Sequence, residues 1–303
     1  MGITAAITAL GHFLPEHRLT NHDLEKMVDT NDAWIRERTG IIERRINKDG
    51  ATSDMAAKAI QELCETRGIS PEEIDLIIVA TVPPDHLFPA TAAIVAEAVG
   101  ATNAWGFDLE AACSGFLYGV ATGAKFIQTG QHQKVVVVGA DKMSSIVDYT
   151  DRNTCVLFGD GAAAILLEPN EDGLGILDER LYTDGSGKKH LHMKAGGSAS
   201  PPTAETVNAR EHFVYQEGRQ VFKFAVTKMA DVCEEVMQRN NLSSDDVRYL
   251  VPHQANLRII EATCSRLGVP MDTVVLNIAD HGNTSAASVP MALNDALVQG
   301  RID

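Results

Sequence analysis

Cys113 is the residue of this sequence best placed to act as a nucleophile. It follows a predicted strand, sits among small residues and precedes a predicted helix. A thiol at a helix N-terminus feels the positive end of the helix dipole and nearby unpaired N–H groups, which lower its pKa and favour the thiolate. Ala112 and Gly115 leave room for a substrate to approach. The same pattern also fits a buried structural cysteine, so local sequence leaves both interpretations open.

Two polar residues far along the chain are candidates to act together with Cys113. His253 follows a predicted strand, and sites in α/β proteins commonly form at strand ends. Asn283 lies in a predicted turn 170 residues after Cys113, where an internal repeat makes it equivalent to the cysteine. Alone, each would be an ordinary turn or core residue. Together with the repeat, they predict that a thiol, an imidazole and a carboxamide converge between two halves of the molecule.

The internal repeat supplies the elements that position these residues. Residues 109–130 align with residues 279–300 as a strand end, a turn of small residues and a helix closed by glycine. A predicted strand at 74–81 likewise has a counterpart at 247–254. We therefore expect two similar halves, residues 1–168 and 169–303.

The second half is predicted to lack its closing strands. After Gly130 the first half continues into a predicted strand at 135–139, whereas only three residues follow Gly300. A further strand is predicted at 162–168 and helices at 91–99 and 219–238, while residues 170–220 form a long connection. This alternation is typical of a parallel or mixed sheet covered by helices.

Composition excludes several classes of function. The chain has 303 residues, 45% of them hydrophobic, and a formal net charge of −15. That charge repels phosphate backbones and anionic lipid, so we expect neither nucleic acid nor membrane as a partner. With no basic leader and no long apolar run, the cytoplasm is the expected compartment.

The other cysteines and the histidine pair carry no predicted chemistry. The five cysteines contain no CxxC pair, which argues against a zinc ribbon or a disulfide framework. Packing is the expected role of Cys64, Cys233 and Cys264 in predicted helices and of Cys155 in a predicted strand. His190 and His192 lack a third ligand, so no metal site is expected.

Three motifs, and the order in which they follow one another along the chain, resemble those of the β-ketoacyl-acyl carrier protein synthase III family of the thiolase superfamily. They are Ala-Ala-Cys-Ser-Gly around Cys113, Val-Pro-His-Gln-Ala-Asn around His253 and Gly-Asn-Thr-Ser around Asn283. The resemblance implies an α/β, thiolase-like, five-layered αβαβα fold of two pseudo-repeated halves, usually a homodimer. It also implies an acyltransferase that condenses a short acyl-coenzyme A, by default acetyl, with malonyl-acyl carrier protein in fatty acid biosynthesis.

The resemblance also implies a role for each matching residue. Cys113 resembles the acylated nucleophile, and His253 and Asn283 resemble its two hydrogen-bond donors. Coenzyme A, a substrate here and not a bound cofactor, would be held by Thr30, Trp34, Arg38, Arg152 and Asn256. Lys223 and Arg258 would meet the acidic carrier protein, and Phe88 would cross the dimer interface into the partner's acyl pocket. The family ends in a strand pair that supplies one oxyanion-hole N–H, and the resemblance implies a weakened enzyme if nothing follows Asp303.

Three other functions are compared with this one from the sequence. Cysteine, histidine and asparagine occur in the order of papain-like hydrolases, but the local signature of those enzymes is missing and the cysteine lies far from the N-terminus, which argues against a hydrolase. A related condensing enzyme of polyketide or hydroxymethylglutaryl type would carry similar motifs. A catalytically impaired relative that only binds coenzyme A or carrier protein is the third.

Overall fold

The structure, a computed structural model, describes residues 2–302. Its strands are β1 (Thr4–Phe13), β2 (Arg18–Thr20), β3 (Glu43–Arg45), β4 (Leu76–Ala80), β5 (Trp105–Leu109), β6 (Val135–Asp141), β7 (Gly161–Asn170), β8 (Leu191–Met193) and β9 (Val214–Gln216). Its α-helices are α1 (Asn21–Leu24), α2 (Asp32–Thr39), α3 (Thr52–Arg67), α4 (Thr91–Val99), α5 (Gly115–Gln128), α6 (Ala204–Asn208), α7 (Gly218–Arg239), α8 (Leu257–Leu267), α9 (Ile278–His281) and α10 (Ser288–Val298).

A five-stranded mixed sheet in the order β1-β7-β6-β4-β5 forms the centre of the first half. Strands β4, β5 and β6 are parallel, and β1 and β7 are antiparallel to their neighbours. Strands β4 and β6 are buried along their whole length, as expected for apolar runs covered on both faces. The carboxyl ends of the three parallel strands meet at one edge, and Thr81, Asp141 and the turn containing Cys113 follow there.

A row of glycines brings α5 unusually close to this sheet. A Cβ atom added at Gly119 would lie 2.7 Å from Cγ1 of Val137, and one at Gly123 would lie 3.0 Å from Cδ1 of Leu167. Glycine inside a helix costs about 1 kcal/mol relative to alanine, so the close packing must offset that loss. The contact holds the N-terminus of α5 beside the strand ends.

The helices and strands stack in five layers. Helices α3 and α4 pack on one face of the sheet, and α5 and α10 pack on the other. Beyond α10, Val275 packs against Ala292 and Ala296, and Leu250 and Val274 pack against the buried face of α8. Helix α7 packs on α8 and completes the outer layer. The order is therefore αβαβα.

The second β layer is much less regular than the first. Its strands reduce to one parallel bridge between Leu250 and Val274, so the predicted continuous strand at 247–254 is wrong. The segment makes two backbone hydrogen bonds to residues 273–275, from the Leu250 N–H to Thr273 at 3.2 Å and from the Val275 N–H to Leu250 at 2.9 Å. Pro252 has no N–H to continue the ladder. Among residues 2–302, no longer ladder follows β9.

The repeat exists, but its register differs from the predicted one by three residues. Two 3₁₀ turns, Ala112–Ser114 and Ser285–Ala287, lead directly into α5 and α10. Each begins on a non-glycine residue with positive φ, 45° at Ala112 and 51° at Ser285. The offset is thus 173 residues at the turns, and Ala286, not Asn283, is the counterpart of Cys113. The offset returns to 170 at Gly130 and Gly300 because α10 is three residues shorter than α5.

The remaining local predictions are largely correct. Helix α4 has the predicted bounds, and α7 extends the predicted helix by one residue at each end. Strand β7 runs to Asn170, so the predicted division at residue 168 falls within a strand. Cys155 is buried as predicted but lies in a turn, because the chain there folds back before β7. Within residues 2–302, none of the helices has the length and apolar character needed to cross a bilayer.

Candidate active site

Cys113, His253 and Asn283 line one cavity of about 1890 Å³. Cys113 comes from the turn before α5, while the other two come from the second half of the chain. The predicted convergence of these three side chains at the junction of the halves is therefore found. Their chemical roles remain predictions.

Cys113 occupies the predicted position at a helix N-terminus, but its pKa moves in the opposite direction to the one expected. Burial raises the pKa of the Cys113 thiol to about 11, a hydrogen bond from Ser285 opposes this rise, and the Asp141 carboxylate adds to it. Loss of hydration is the largest of these contributions, and the hydrogen bond from Ser285 offsets only part of it.

His253 is held as a neutral hydrogen-bond donor. Burial lowers the pKa of His253 to about 4. Its Nδ1 lies 2.6 Å from Oγ of Ser288, which also accepts a hydrogen bond from the Gln254 N–H at 3.4 Å. Within the described residues, Nδ1 is the acceptor available to the Ser288 hydroxyl, so the hydroxyl donates to it and the ring proton is on Nε2.

Gln254 fixes the backbone on which His253 sits. This side chain is fully buried. Its Nε2 donates to the carbonyls of Pro252 at 2.8 Å and Val275 at 3.1 Å, and its Oε1 accepts from the Asn277 N–H at 3.2 Å. These bonds replace the ladder that the second β layer does not form, because they join the two segments through a side chain.

Asn283 is oriented as the second donor. Its Oδ1 accepts a hydrogen bond from the Ser285 N–H at 2.9 Å, so its NH₂ group is directed elsewhere. Its own backbone pairs with residues on both sides of Phe158, since its N–H donates to Leu157 at 2.9 Å and its carbonyl accepts from Gly159 at 3.0 Å. The cavity thus contains two donors whose acceptor atoms are already engaged.

The low pKa of His253 gives a test by pH. Because burial lowers this pKa to about 4, the imidazole stays neutral at all higher pH values. A reaction step that uses His253 as a neutral donor should keep a constant rate from about pH 5.5 to 8. The step is measured in single-turnover experiments with acylated enzyme and malonyl-carrier protein, the substrates that the sequence resemblance implies. A rate that falls through an inflection near the ordinary histidine value of about 6.5 would contradict the assignment.

Three of the five residues predicted to hold coenzyme A, namely Trp34, Arg38 and Asn256, line the cavity. The Asn256 Nδ2 donates to the Arg38 carbonyl at 2.9 Å. Arg152 is not part of the lining, but its guanidinium lies 4.8 Å from the centre of the Trp34 ring. Thr30 is also outside the lining, and its buried hydroxyl has no hydrogen-bond partner within residues 2–302. Binding of coenzyme A by these residues stays a prediction.

The remaining predicted residues lie on the surface. Lys223 is exposed on α7, and Arg258 is exposed on α8 with its guanidinium 5.5 Å from the Phe222 ring centre. Phe88 is 85% exposed beside Leu87, which is 83% exposed. His190, which was not expected to bind metal, is paired through Nδ1 with Glu217 at 2.5 Å.

Four residues that support the site were not predicted from the sequence: Asp141, Gln254, Ser285 and Ser288. Gln254 and Ser285 stand inside the quoted motifs, but the motifs gave them no role. Asp141 ends the buried strand β6 without a positively charged partner in the described residues, and an acidic residue directly after an apolar strand was the available signal. Ser288 could be found only by its contact with His253.

A layered αβαβα fold with a cysteine and two hydrogen-bond donors between pseudo-repeated halves defines a thiolase-like acyltransferase. The family description 3-oxoacyl-[acyl-carrier-protein] synthase III matches residues 107–185, and that of its C-terminal part matches residues 237–303. A β-ketoacyl-[acyl-carrier-protein] synthase III from Chlorobium phaeobacteroides is 57% identical over 293 residues, 95% of this chain and 89% of that protein. This chain belongs to the β-ketoacyl-[acyl-carrier-protein] synthase III family.

Solved structures of similar proteins have the same fold as this chain. The 3-oxoacyl-[acyl-carrier-protein] synthase III from Aquifex aeolicus is 42% identical, with a TM-score of 0.92 over 99% of this chain and 92% of that one. The priming β-ketosynthase from the R1128 polyketide biosynthetic pathway is 32% identical, with a TM-score of 0.91 over 98% of this chain and 89% of that one. These similarities confirm the predicted thiolase-like fold class and set aside the papain-like alternative.

Proposed function

We propose that this protein condenses a short acyl-coenzyme A, with acetyl-coenzyme A as the default, with malonyl-acyl carrier protein to begin fatty acid synthesis. The observation that carries the proposal is the single cavity lined by Cys113, His253 and Asn283. Membership of the β-ketoacyl-[acyl-carrier-protein] synthase III family supports it. The proposed steps move protons, carbon dioxide and an acyl group but no electrons to an acceptor, so they call for no redox cofactor.

The first stage loads the enzyme. The Cys113 sulfur attacks the thioester carbonyl of acyl-coenzyme A, the bond to the coenzyme A sulfur breaks, and coenzyme A leaves as its free thiol. The acyl group stays on Cys113. Phe158 is buried and is one of the apolar side chains that line the cavity, and such side chains would limit the access of water that hydrolyses the acyl-enzyme.

The second stage forms the carbon–carbon bond. The malonyl thioester carbonyl accepts hydrogen bonds from His253 Nε2–H and the Asn283 NH₂ group. These donors stabilise the negative charge that builds up as carbon dioxide leaves. The carbanion then attacks the acyl carbon on Cys113, and the thiolate is released. A neutral imidazole suits this stage because it donates without adding a proton to the substrate.

Coenzyme A binding is expected to depend on Trp34. Stacking of a base on an aromatic ring contributes about 1–3 kcal/mol, so Trp34→Ala should raise KM for acetyl-coenzyme A roughly tenfold with little change in kcat. Trp34→Phe keeps a ring and serves as the matched control, with a smaller rise. Steady-state kinetics at saturating malonyl-carrier protein measure both constants. An unchanged KM in Trp34→Ala would place the adenine elsewhere.

The carrier protein is proposed to dock at Lys223 and Arg258. Both side chains are exposed, and Arg258 also lines the mouth of the cavity. Nearby Arg266 is already paired with Asp231 and Glu234, so it offers less charge to a partner. The negative charge of an acidic carrier protein would attract it to these two cations, although the net charge of this protein as a whole is −15.

A homodimer is proposed from the free edge of the sheet. Strand β5 is an outer strand, and its unpaired backbone groups can accept another strand. The exposed Leu87 and Phe88 lie close to its end, because the following Thr91 and Ala92 N–H groups both donate to Asp108 of β5 at 2.7 Å. An interface there would bury this apolar patch and carry Phe88 towards the partner. Light scattering on the purified protein measures the mass.

The proposed function is tested by following product and intermediate separately. Incubation with acetyl-coenzyme A should leave an acetyl group on Cys113 that peptide mass spectrometry detects. Addition of malonyl-carrier protein should then release acetoacetyl-carrier protein and carbon dioxide, with ping-pong kinetics. Stable binding of coenzyme A without an adduct would instead favour the impaired relative.

Priming of polyketide synthesis is the second candidate, favoured by the TM-score of 0.91 with the R1128 enzyme. The two functions share both chemical stages and differ in the carrier protein and the acyl primer. Competition between malonyl groups on fatty acid and polyketide carriers, compared by kcat/KM, distinguishes them.

A further inference from the structure

Arg44 is a charged side chain in the protein interior, and the proposed mechanism gives it no part. It is fully buried on β3. Within residues 2–302 it forms no ion pair, and the neighbouring Glu43 carboxylate pairs instead with Arg18 at 3.1 Å and with Arg45 at 3.7 Å. Burial lowers the pKa of Arg44 only to about 10, so the guanidinium stays charged at neutral pH. A buried cation without a carboxylate partner is costly, so the bonds that it makes must offset that cost.

The guanidinium of Arg44 joins three separate segments of the chain. Its Nη1 donates to Oδ1 of Asn21 at 2.7 Å and to the Leu19 carbonyl at 3.4 Å. Its Nη2 donates to the carbonyl of Val156. These acceptors belong to α1, to β2 and to the turns that precede β7. A planar group with several N–H donors in fixed directions suits three such oxygens, whereas an alkyl side chain would leave them unpaired.

The Val156 carbonyl lies next to the bonds that hold Asn283. The adjoining Leu157 carbonyl accepts a hydrogen bond from the Asn283 N–H at 2.9 Å, and the Asn283 carbonyl accepts one from the Gly159 N–H at 3.0 Å. The two segments thus form a short parallel bridge. Because the two carbonyls are consecutive, a shift of Val156 would move the backbone partner of Asn283.

The backbone of β3 packs directly against both segments of this bridge. A Cβ atom added at Gly159 would lie 3.0 Å from the Cβ of Arg44, and one added at Gly282 would lie 3.0 Å from the same atom. The φ of 67° at Gly282 also favours glycine. Both segments therefore approach Arg44 as closely as glycine allows, and its side chain starts beside both of them.

Backbone hydrogen bonds on each side of Arg44 complete the same connection. The Ile42 N–H donates to the Ala279 carbonyl at 2.8 Å, and the Asp160 N–H donates to the Arg45 carbonyl at 2.8 Å. One bond reaches the segment that leads to the donor asparagine, and the other reaches the segment that is paired with it. Strand β3 thus joins the two segments, and the Arg44 guanidinium adds the contact to the turns before β7.

We propose that Arg44 is a positioning residue of the condensation stage, which fixes the Asn283 amide through the Val156 carbonyl and the backbone bridge. The role rests on the proposed function, because the Asn283 amide acts in that stage. A displacement of about 1 Å can slow a reaction about 100-fold when reacting groups must be held close together. Cys113 lies in a different turn, which none of the three hydrogen bonds of the guanidinium reaches. Acylation of Cys113 should therefore not need Arg44.

Arg44→Met tests the proposal, because methionine keeps a long side chain but offers no donor. Condensation by enzyme acetylated beforehand should be about 100-fold slower than in the wild type, whereas acylation by acetyl-coenzyme A should stay within about threefold. Arg44→Lys places one cationic group near the same oxygens but cannot reach all of them, so condensation should be about tenfold slower. Single-turnover rates for each stage give both values. A merely structural role would slow both stages alike.

Arg45→Met is the matched control. It removes a guanidinium from the next position of β3, but that side chain donates to the Pro15 carbonyl at 3.0 Å and pairs with Glu43. Both stages should stay within about threefold of the wild type. Thermal unfolding shows which variants are folded at the assay temperature. If Arg44→Met is unfolded there, Arg44→Lys decides, because slowing of condensation alone supports the proposal and wild-type rates in both stages overturn it.

A second measurement needs no substrate. In the folded Arg44 variants, hydrogen–deuterium exchange followed by mass spectrometry should be faster for peptides that contain the Asn283 and Gly159 N–H groups, by about tenfold in Arg44→Met, since the bridge opens more often. Peptides from α4 should exchange at the wild-type rate. If wild-type enzyme takes no acetyl group from acetyl-coenzyme A, the proposed function fails, yet the exchange ratio still decides whether Arg44 positions Asn283. Wild-type exchange in a folded Arg44 variant, equal slowing of both stages, or unchanged condensation would overturn the proposal.

Discussion

Cys113→Ala is expected to form no acetyl adduct and to lose overall condensation by a factor of about 10³ or more. The loss is expected to be large because the catalytic residues act together, and none of the others can replace the missing nucleophile. The cavity lining contains Cys233 as its other thiol within residues 2–302, but that residue lies on α7. Mass spectrometry of the intact protein and product formation measured by chromatography give the two readings.

In Cys113→Ala, decarboxylation can be measured separately from condensation. In the proposed mechanism, decarboxylation of malonyl-carrier protein uses His253 and Asn283, so it should continue in Cys113→Ala and release carbon dioxide without a condensed product. Cys64→Ala is the control, because Cys64 is buried in the core between α3 and the sheet and should lose only stability. An adduct that persists in Cys113→Ala would show that another residue is the nucleophile.

Removing either donor should slow condensation and leave acylation of Cys113 nearly unchanged. His253→Ala and Asn283→Ala are each expected to slow condensation about 10² to 10³-fold, the usual effect of deleting one oxyanion donor. Acylation of Cys113 should remain within about tenfold of the wild type, because the proposed mechanism gives neither side chain a part in that stage. In that mechanism the two donors bond to one oxygen, so the double variant should lose less than the product of the single losses.

Ser288→Ala provides a graded control for His253. It removes the hydroxyl that lies 2.6 Å from Nδ1 but leaves the ring in place. Condensation should fall by less than in His253→Ala, because the neutral ring then populates both tautomers. Single-turnover rates for each half-reaction make the comparison. Equal slowing of acylation and condensation in the donor variants would contradict the division of roles.

The sequence by itself determined the motifs, several helices and strands, and the identity of the three cavity residues. Short-range patterns were sufficient for the helices and strands, whereas the five layers followed from the resemblance to a family. Helix α4 follows from its periodicity and the glycine after it, and β4 and β6 follow from apolar runs that only a covered strand can carry. Because the repeat preserves this order of elements, it also predicted that Cys113 and His253 would meet between the halves.

Tertiary structure alone decided the electrostatics and the exact register. The helix N-terminus predicted a low pKa at Cys113, but burial by residues distant in the chain raises it, because hydration is lost to the whole surroundings and the dipole acts only nearby. The sequence repeat aligned Asn283 with Cys113, whereas the turns of the structure align Ala286 with Cys113. The alignment differs because a turn is defined by its backbone dihedral angles, and these cannot be predicted from a run of small residues. The contacts of Asp141 with Ala286 and of Ser288 with His253 join residues 145 and 35 positions apart, and no local pattern encodes such distances.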